Sequence, residues 1–245
     1  MRDAKMAKRT EHERESEMKR KLVVLSLSIV GVLATALVTG SASADDTQCD
    51  GALPFGTYDN VIVPPGENCA IDGSEILGNL KIEPNAGVVV VQNTTIVGNL
   101  QGEQFLSLEL SESTVHGNVQ VKKQGNVEVC GNTIRGDLQV EEGVGGEVEI
   151  GYSGAPADEP PVEPTCAGNT ILFGNLKVEK NVMTYGQIAG NYVKRGNLQV
   201  FENTGPLDIS DNQVPKGNLQ CSKNSPDPTG GGNTAKQKEE QCRDL

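Results

Sequence analysis

Along most of the chain, apolar residues alternate with polar ones in short runs, and Gly-Asn pairs separate the runs. Leu80 and Ile82 flank Lys81, Val119 and Val121 flank Gln120, and Leu138 and Val140 flank Gln139. This two-residue period is that of a half-buried strand. A second set follows each of these: Val88–Val91, then Leu106, Leu108 and Leu110 around Ser107 and Glu109, then Val127 with Val129 and Val148 with Ile150. The first set sits in one recurring phrase, GNLQV and near copies, beginning at Gly78, Gly98, Gly117, Gly136, Gly174, Gly196 and Gly217. The intervals are 20, 19, 19, 38, 22 and 21 residues. A near-fixed period of this size marks a solenoid.

Stacking the phrases builds two inward columns. Leu80, Leu100, Val119, Leu138, Leu176, Leu198 and Leu219 form one; Ile82, Val121, Val140, Val178, Val200 and Cys221 form the other, broken at Gly102. A turn of this period at about 3.3 Å per residue has a perimeter near 65 Å, which suits three short faces around a narrow core. The fold expected is all-β, a single-stranded parallel β-helix of about 7–8 coils, right-handed because crossovers between parallel strands usually are. It is expected to span residues 45–220, with Asp45–Phe55 as a lead-in and 221–245 as a polar cap. The doubled interval falls on an insert, 151–167, rich in proline and acid and read as a surface excursion. Asn79, Asn99, Asn118, Asp137, Asn175, Asn197 and Asn218 form a polar column suited to a coil-to-coil ladder and to tight turns.

Residues 1–44 stand outside the repeat. Lys19, Arg20 and Lys21 precede the apolar Leu22–Thr39, and Ala42-Ser43-Ala44 follows, which are the parts of a secretory signal peptide cleaved after Ala44. Met1–Glu17 is a polar extension, with Met18 the favoured start. From Asp45 onward there are 13 Lys and Arg against 28 Asp and Glu, a net charge of −15. Such a surface argues against nucleic acid, and against a membrane once the signal is removed. All six cysteines follow the signal, with no zinc-type spacing, so disulfides are expected. Cys130 and Cys166 occupy equivalent places in consecutive coils and are expected to pair. Proximity assigns Cys49 to Cys69 and Cys221 to Cys242.

The repeat phrase, the lead Val61–Cys69 (VIVPPGENC) and the ending Gly217–Cys221 followed by Pro228–Thr234 and Gln241-Cys242 together resemble a group of secreted bacterial proteins with pectin-lyase-like parallel β-helix repeats. The resemblance covers most of Gly56–Cys242. It implies the fold and export, and no activity.

No stretch rises to a catalytic motif, so the sequence leans against an enzyme. Glu83, Glu103, Glu141 and Glu179 share one outward column, interrupted by Lys122 and Phe201, and read as solvated charge. Asp208, Asp211 and Glu202 are the best carboxylates for glycoside chemistry, which needs a close pair. No cofactor is expected; Ca²⁺ is left open only through Asp158, Glu159 and Glu163 of the insert. His116 matches Arg135 and Arg195, ordinary turn positions. One outward column is regular and forms the candidate binding face: Lys81, Gln101, Gln120, Gln139, Lys177, Gln199 and Gln220. The expectation is an exported, non-enzymatic β-helix that is structural or binds an extracellular glycan or protein. The alternatives are a carbohydrate-active enzyme of the pectin-lyase type and a self-assembling filament.

Overall fold

The computed structural model describes residues 46–151 and 166–245. The expected signal peptide, its cleavage point and the acidic residues of the insert lie outside the described residues. The described chain is all-β and winds as a parallel solenoid of about nine turns, each turn contributing strands to three faces. One turn illustrates the plan: Val119–Lys122 lies on face A, Asn126–Cys130 on face B and Thr133–Ile134 on face C. Face B is a nine-stranded sheet. Faces A and C join into a 17-stranded sheet because Gln213–Ser222 and Thr234–Glu240 run on around the corner between them.

The strands form where apolar residues alternate, since only one side can face the narrow core. The register is in phase on face A: Leu80 pairs with Leu100, Leu100 with Val119, Val119 with Leu138, Leu138 with Leu176, Leu176 with Leu198 and Leu198 with Leu219. All seven are fully buried. The 38-residue interval is a single turn, because Leu138 pairs directly with Leu176 and Thr133 with Thr170. The described strand on face B ends at Gly151, and at the next described residue, Cys166, a disulfide to Cys130 ties the chain to the stack.

The structure corrects the coil count. Thr47–Gln48 and Gly51–Leu53 in the lead-in pair with Val61–Ile62 and Cys69–Ile71, which adds strands before the first expected coil. At the other end, Thr229–Gly231 continues face B and Thr234–Glu240 continues faces C and A, so 221–245 is another turn of the stack. The cysteines join as Cys49–Cys69, Cys130–Cys166 and Cys221–Cys242, with Cα–Cα distances of 5.5, 5.6 and 5.2 Å.

A second correction concerns Leu106, which alternation placed inside. It is 60% exposed, and Phe105 is buried in its stead. Phe105 stands where Ala86 and Gln124 are buried in the turns on either side, and room for its ring comes from Gly102. It occupies the inward column between Ile82 and Val121, and the Phe105 ring fills the space its side chain would take: a Cβ there would lie 2.6 Å from Phe105 Cε1. The break in the column is thus packed by an aromatic ring from the neighbouring corner.

Two of the three corners follow one rule, a left-handed residue followed by a buried one. Between faces A and B, Gln104, Lys123, Glu142, Lys180, Glu202 and Lys223 have φ of 52° to 59°. Non-glycine residues adopt this region at a cost, so the packing that follows must hold them there. The next positions, Asn181, Asn203 and Asn224, are buried and linked: Asn181 N and Nδ2 donate to Asn203 Oδ1, and Asn203 N and Nδ2 donate to Asn224 Oδ1. Gly143 interrupts this ladder. Gln124 from the turn before reaches past it, donating from Nε2 to Asn181 Oδ1 at 3.4 Å. Between faces B and C runs a second ladder, in which Asn132, Asn169, Asn191 and Asn212 each donate to the next coil's asparagine, ending on Asn233. Paired in this way, buried amides cost little and hold the coils in register.

Candidate functional site

The candidate binding face is a single unbroken column. Lys81 pairs with Gln101, then Gln120, Gln139, Lys177, Gln199 and Gln220, in adjacent strands of face A. The period-two pattern puts these side chains outward because their neighbours on both sides are buried. The column is partly occupied with itself: Gln120 Nε2 donates to Gln139 Oε1 at 2.9 Å and Gln199 Nε2 to Gln220 Oε1 at 3.0 Å. Lys81 reaches Glu83, and Lys177 reaches Glu141 and Glu179. Near the N-terminal end the face dips into a shallow trough floored by Gly102 and rimmed by Lys81, Gln101, Glu103, Gln120 and Lys122.

Beside this column stand the glutamates read as solvated charge. Glu103, Lys122, Glu141 and Glu179 are indeed in register. Glu141 is not solvated: its side chain is 8% exposed and lies between Lys122 Nζ at 2.8 Å and Lys177 Nζ at 3.0 Å. Burial by itself raises its pKa, and the two ammonium groups outweigh that, so the carboxyl ends below its ordinary value. The hydrogen bond from Lys123 likewise holds Glu103 down. Carboxylates kept charged this way are poor proton donors.

A different acidic column, on face B, was not singled out by the sequence. Glu109, Glu128 and Glu149 are in register on successive turns, outward between buried valines and leucines. Glu128 is raised, first by burial and then by Glu109 and Glu149 on either side; Glu149 is raised by burial and by Glu147. Gln92 Nε2 donates to Glu109 Oε1 at 2.8 Å. The alternation that exposes these residues was legible, but their alignment depends on the register of face B.

The other sequence candidates are dispersed. Asp208 is on face B, where Ser210 hydrogen-bonds it, Asp211 is at the corner between faces B and C, and Glu202 is at the corner between faces A and B, paired with Lys223. The structure therefore does not bring Glu202 together with the two aspartates. His116 is exposed just before Gly117, at the corner between faces C and A. Among the described residues no group of three or more His, Cys, Asp or Glu is arranged to hold a metal ion. At the same corner, Phe173 is 53% exposed and lies under two guanidinium groups, Arg195 at 5.0 Å and Arg135 at 5.9 Å from the ring centroid. No family model matches the chain, and no curated protein or solved structure matches it.

Proposed function

We propose that this chain is an exported, non-enzymatic β-solenoid that works as a rigid rod, structural in itself and offering a flat face to an extracellular partner. The observation that carries the reading is the in-register Lys/Gln column of face A, continuous from Lys81 to Gln220. A flat ladder of amides and ammonium groups suits an extended partner better than a small substrate, which is normally taken into a concave pocket. The carboxylates nearest that face, Glu103 and Glu141, are neutralised by lysines, which supports a surface that binds without reacting. Three disulfides and the N-terminal basic–apolar–small pattern support export. The resemblance to secreted pectin-lyase-like β-helix repeats supports the same placement.

The test is a glycan array with the purified protein, Ca²⁺ present and absent, followed by product analysis on every polymer bound. The expected outcome is retention of a polymer without cleavage, weakened at least fivefold by Gln120→Ala with Gln139→Ala. Release of shortened or unsaturated chains would instead establish the enzyme alternative, for which the raised Glu128 and Glu149 are the one favourable observation.

A further inference from the structure

The corner between faces C and A carries a column that the repeat leaves free to vary. Each residue in it precedes a corner glycine, and these glycines stack in contact: Gly117 N donates to Gly98 O at 2.9 Å and Gly136 N to Gly117 O at 3.0 Å. Further on, a side chain on Gly174, Gly196 or Gly217 would collide with the backbone of the corner glycine one turn earlier. The preceding residues therefore line up on the outside. In the N-terminal turns they are Leu77 and Val97; from His116 on they are Arg135, Phe173, Arg195 and Lys216, with Lys194 adjoining Arg195. All of these are exposed.

The charge state of this stripe differs from that of face A and of the corner between faces A and B. There, lysines 81, 122, 123, 177, 180 and 223 each lie within 4.0 Å of a carboxylate. Among the described residues, no carboxylate lies that close to Arg135, Lys194, Arg195 or Lys216. In a chain with 28 acids against 13 bases after residue 44, four cations on one corner lack a carboxylate partner among the described residues. Two of them share one aromatic ring. On one flank lie the outward threonines of face C, Thr114, Thr133 and Thr170, in register. On the other lie the exposed or half-buried amides of Asn118, Asn175 and Asn197.

From this we infer that the stripe Arg135–Phe173–Arg195–Lys216 is a binding site for a linear carboxylated polysaccharide laid along the solenoid axis. The guanidinium forks fit carboxylates in two-point hydrogen bonds. The exposed ring gives a sugar face its apolar contact, and hydroxyls and amides on both flanks meet ring hydroxyls. The cations fall on three of four successive turns, Arg135 two turns (about 9.6 Å) before Arg195 and Lys216 one turn (about 4.8 Å) after it, so they lie in a row along the axis as the charges of a linear polymer do. A nucleic acid fits worse, because its denser phosphates would lie against the acidic faces beyond this narrow stripe. The inference rests on the extracellular binding role proposed above but uses a different surface from the Lys/Gln face.

The experiment measures binding of the purified protein to fluorescent alginate oligomers by anisotropy, at low and at physiological salt. Carboxyl-reduced alginate of the same length and a single-stranded DNA serve as comparators. Binding to alginate is expected to weaken with salt, to be lost on carboxyl reduction, and to fall at least tenfold in Arg135→Ala with Arg195→Ala. Both arginines are exposed, so the thermal midpoint should hold. Phe173→Ala should cost several-fold with the charges intact, and Lys123→Ala with Lys223→Ala, at the corner between faces A and B, less than twofold. The inference is overturned if the wild type does not bind alginate, if the arginine pair leaves binding unchanged, or if the DNA binds as tightly. If Gln120→Ala with Gln139→Ala abolishes alginate binding and the arginine pair does not, the corner proposal fails and the face A reading stands. Failure to bind alginate with retention of another glycan on the array separates the two in the same way.

Discussion

From Val61 to Ser113, the buried corner positions are Ser74, Thr94 and Ser113 on one side and Ala86 and Phe105 on the other. From Gln124 onward the same positions carry Asn132, Asn169, Asn191, Asn212 and Asn233, and Asn181, Asn203 and Asn224. The backbone path is the same in both regions, yet the N-terminal turns close one corner with hydrogen-bonded hydroxyls and the other with apolar Ala86 and Phe105, and the C-terminal turns close both with bonded amides. The outer corner changes in step, from Leu77 and Val97 to Arg135, Phe173, Arg195 and Lys216. A solenoid turn therefore needs its corner filled and its polar groups satisfied, and either packing or hydrogen bonding will do. Gln124 lies at the junction: its Oε1 is the one buried side-chain oxygen among the described residues with no partner.

The largest effect expected is in the packed region. Phe105→Ala should cost about 3 kcal/mol, the usual loss for a buried ring, read as a shift in the urea midpoint. Adding Gly102→Val should recover part of it, because the valine would restore the aliphatic column between Ile82 and Val121. In the wild-type background the same valine should destabilise, since its Cβ would meet the Phe105 ring. If the double variant is weaker than Phe105→Ala alone, the ring is not a substitute for the missing side chain.

Next comes the bonded region. Asn191 accepts from Asn169 N and Nδ2 and donates to Ile150 O, Ala189 O and Asn212 Oδ1. Asn191→Ala should cost roughly 2–3 kcal/mol, because several buried groups lose partners together. Thr94→Ala, at the equivalent corner of the N-terminal region, removes one donated bond to Gln92 O and should cost about 1 kcal/mol. Equal losses in chemical denaturation would remove the distinction between the regions.

The smallest effect concerns the acidic column where the regions meet. Burial and the flanking carboxylates raise Glu128 above its ordinary value in the folded state. Its charge therefore opposes folding, fully so above the folded pKa and not at all below the unfolded one. Glu128→Gln should raise the thermal midpoint slightly at neutral pH, with the gain vanishing as pH falls through the ordinary glutamate value. Glu141 has the opposite sign. Its depressed pKa gives stability that is present above the ordinary value and lost on acidification below it, so Glu141→Gln should destabilise at neutral pH. A gain for Glu128→Gln that persists at low pH would point to packing and not charge.

Much of this molecule could be read from the chain alone. The repeat of GNLQV, with its two-residue alternation, determines face A, its inward columns and the outward Lys/Gln column. A strand slipped by one residue would turn its buried side to water, which is why the register follows from the pattern. The Cys130–Cys166 pair follows from the same alignment of turns, and proximity along the chain assigns the other two. What the chain did not announce is whatever depends on a neighbour one turn away. Leu106 and Phe105 are equally apolar, and the corner geometry, with Gln104 in the left-handed region, puts the ring inside, where Gly102 leaves room for it. Glu141 looks solvated until Lys122 and Lys177 close over it from the turns on either side. Thr234–Glu240 lacks apolar alternation and reads as a tail, yet backbone pairing to Gln213–Ser222 makes it a strand. Arg135, Phe173 and Arg195 are 38 and 22 residues apart in sequence and become one stripe only through the pairing of Thr133–Ile134 with Thr170–Ile171 and of these with Tyr192–Val193. Local alternation selects which side of a strand is buried, while contacts between turns decide what each exposed residue meets.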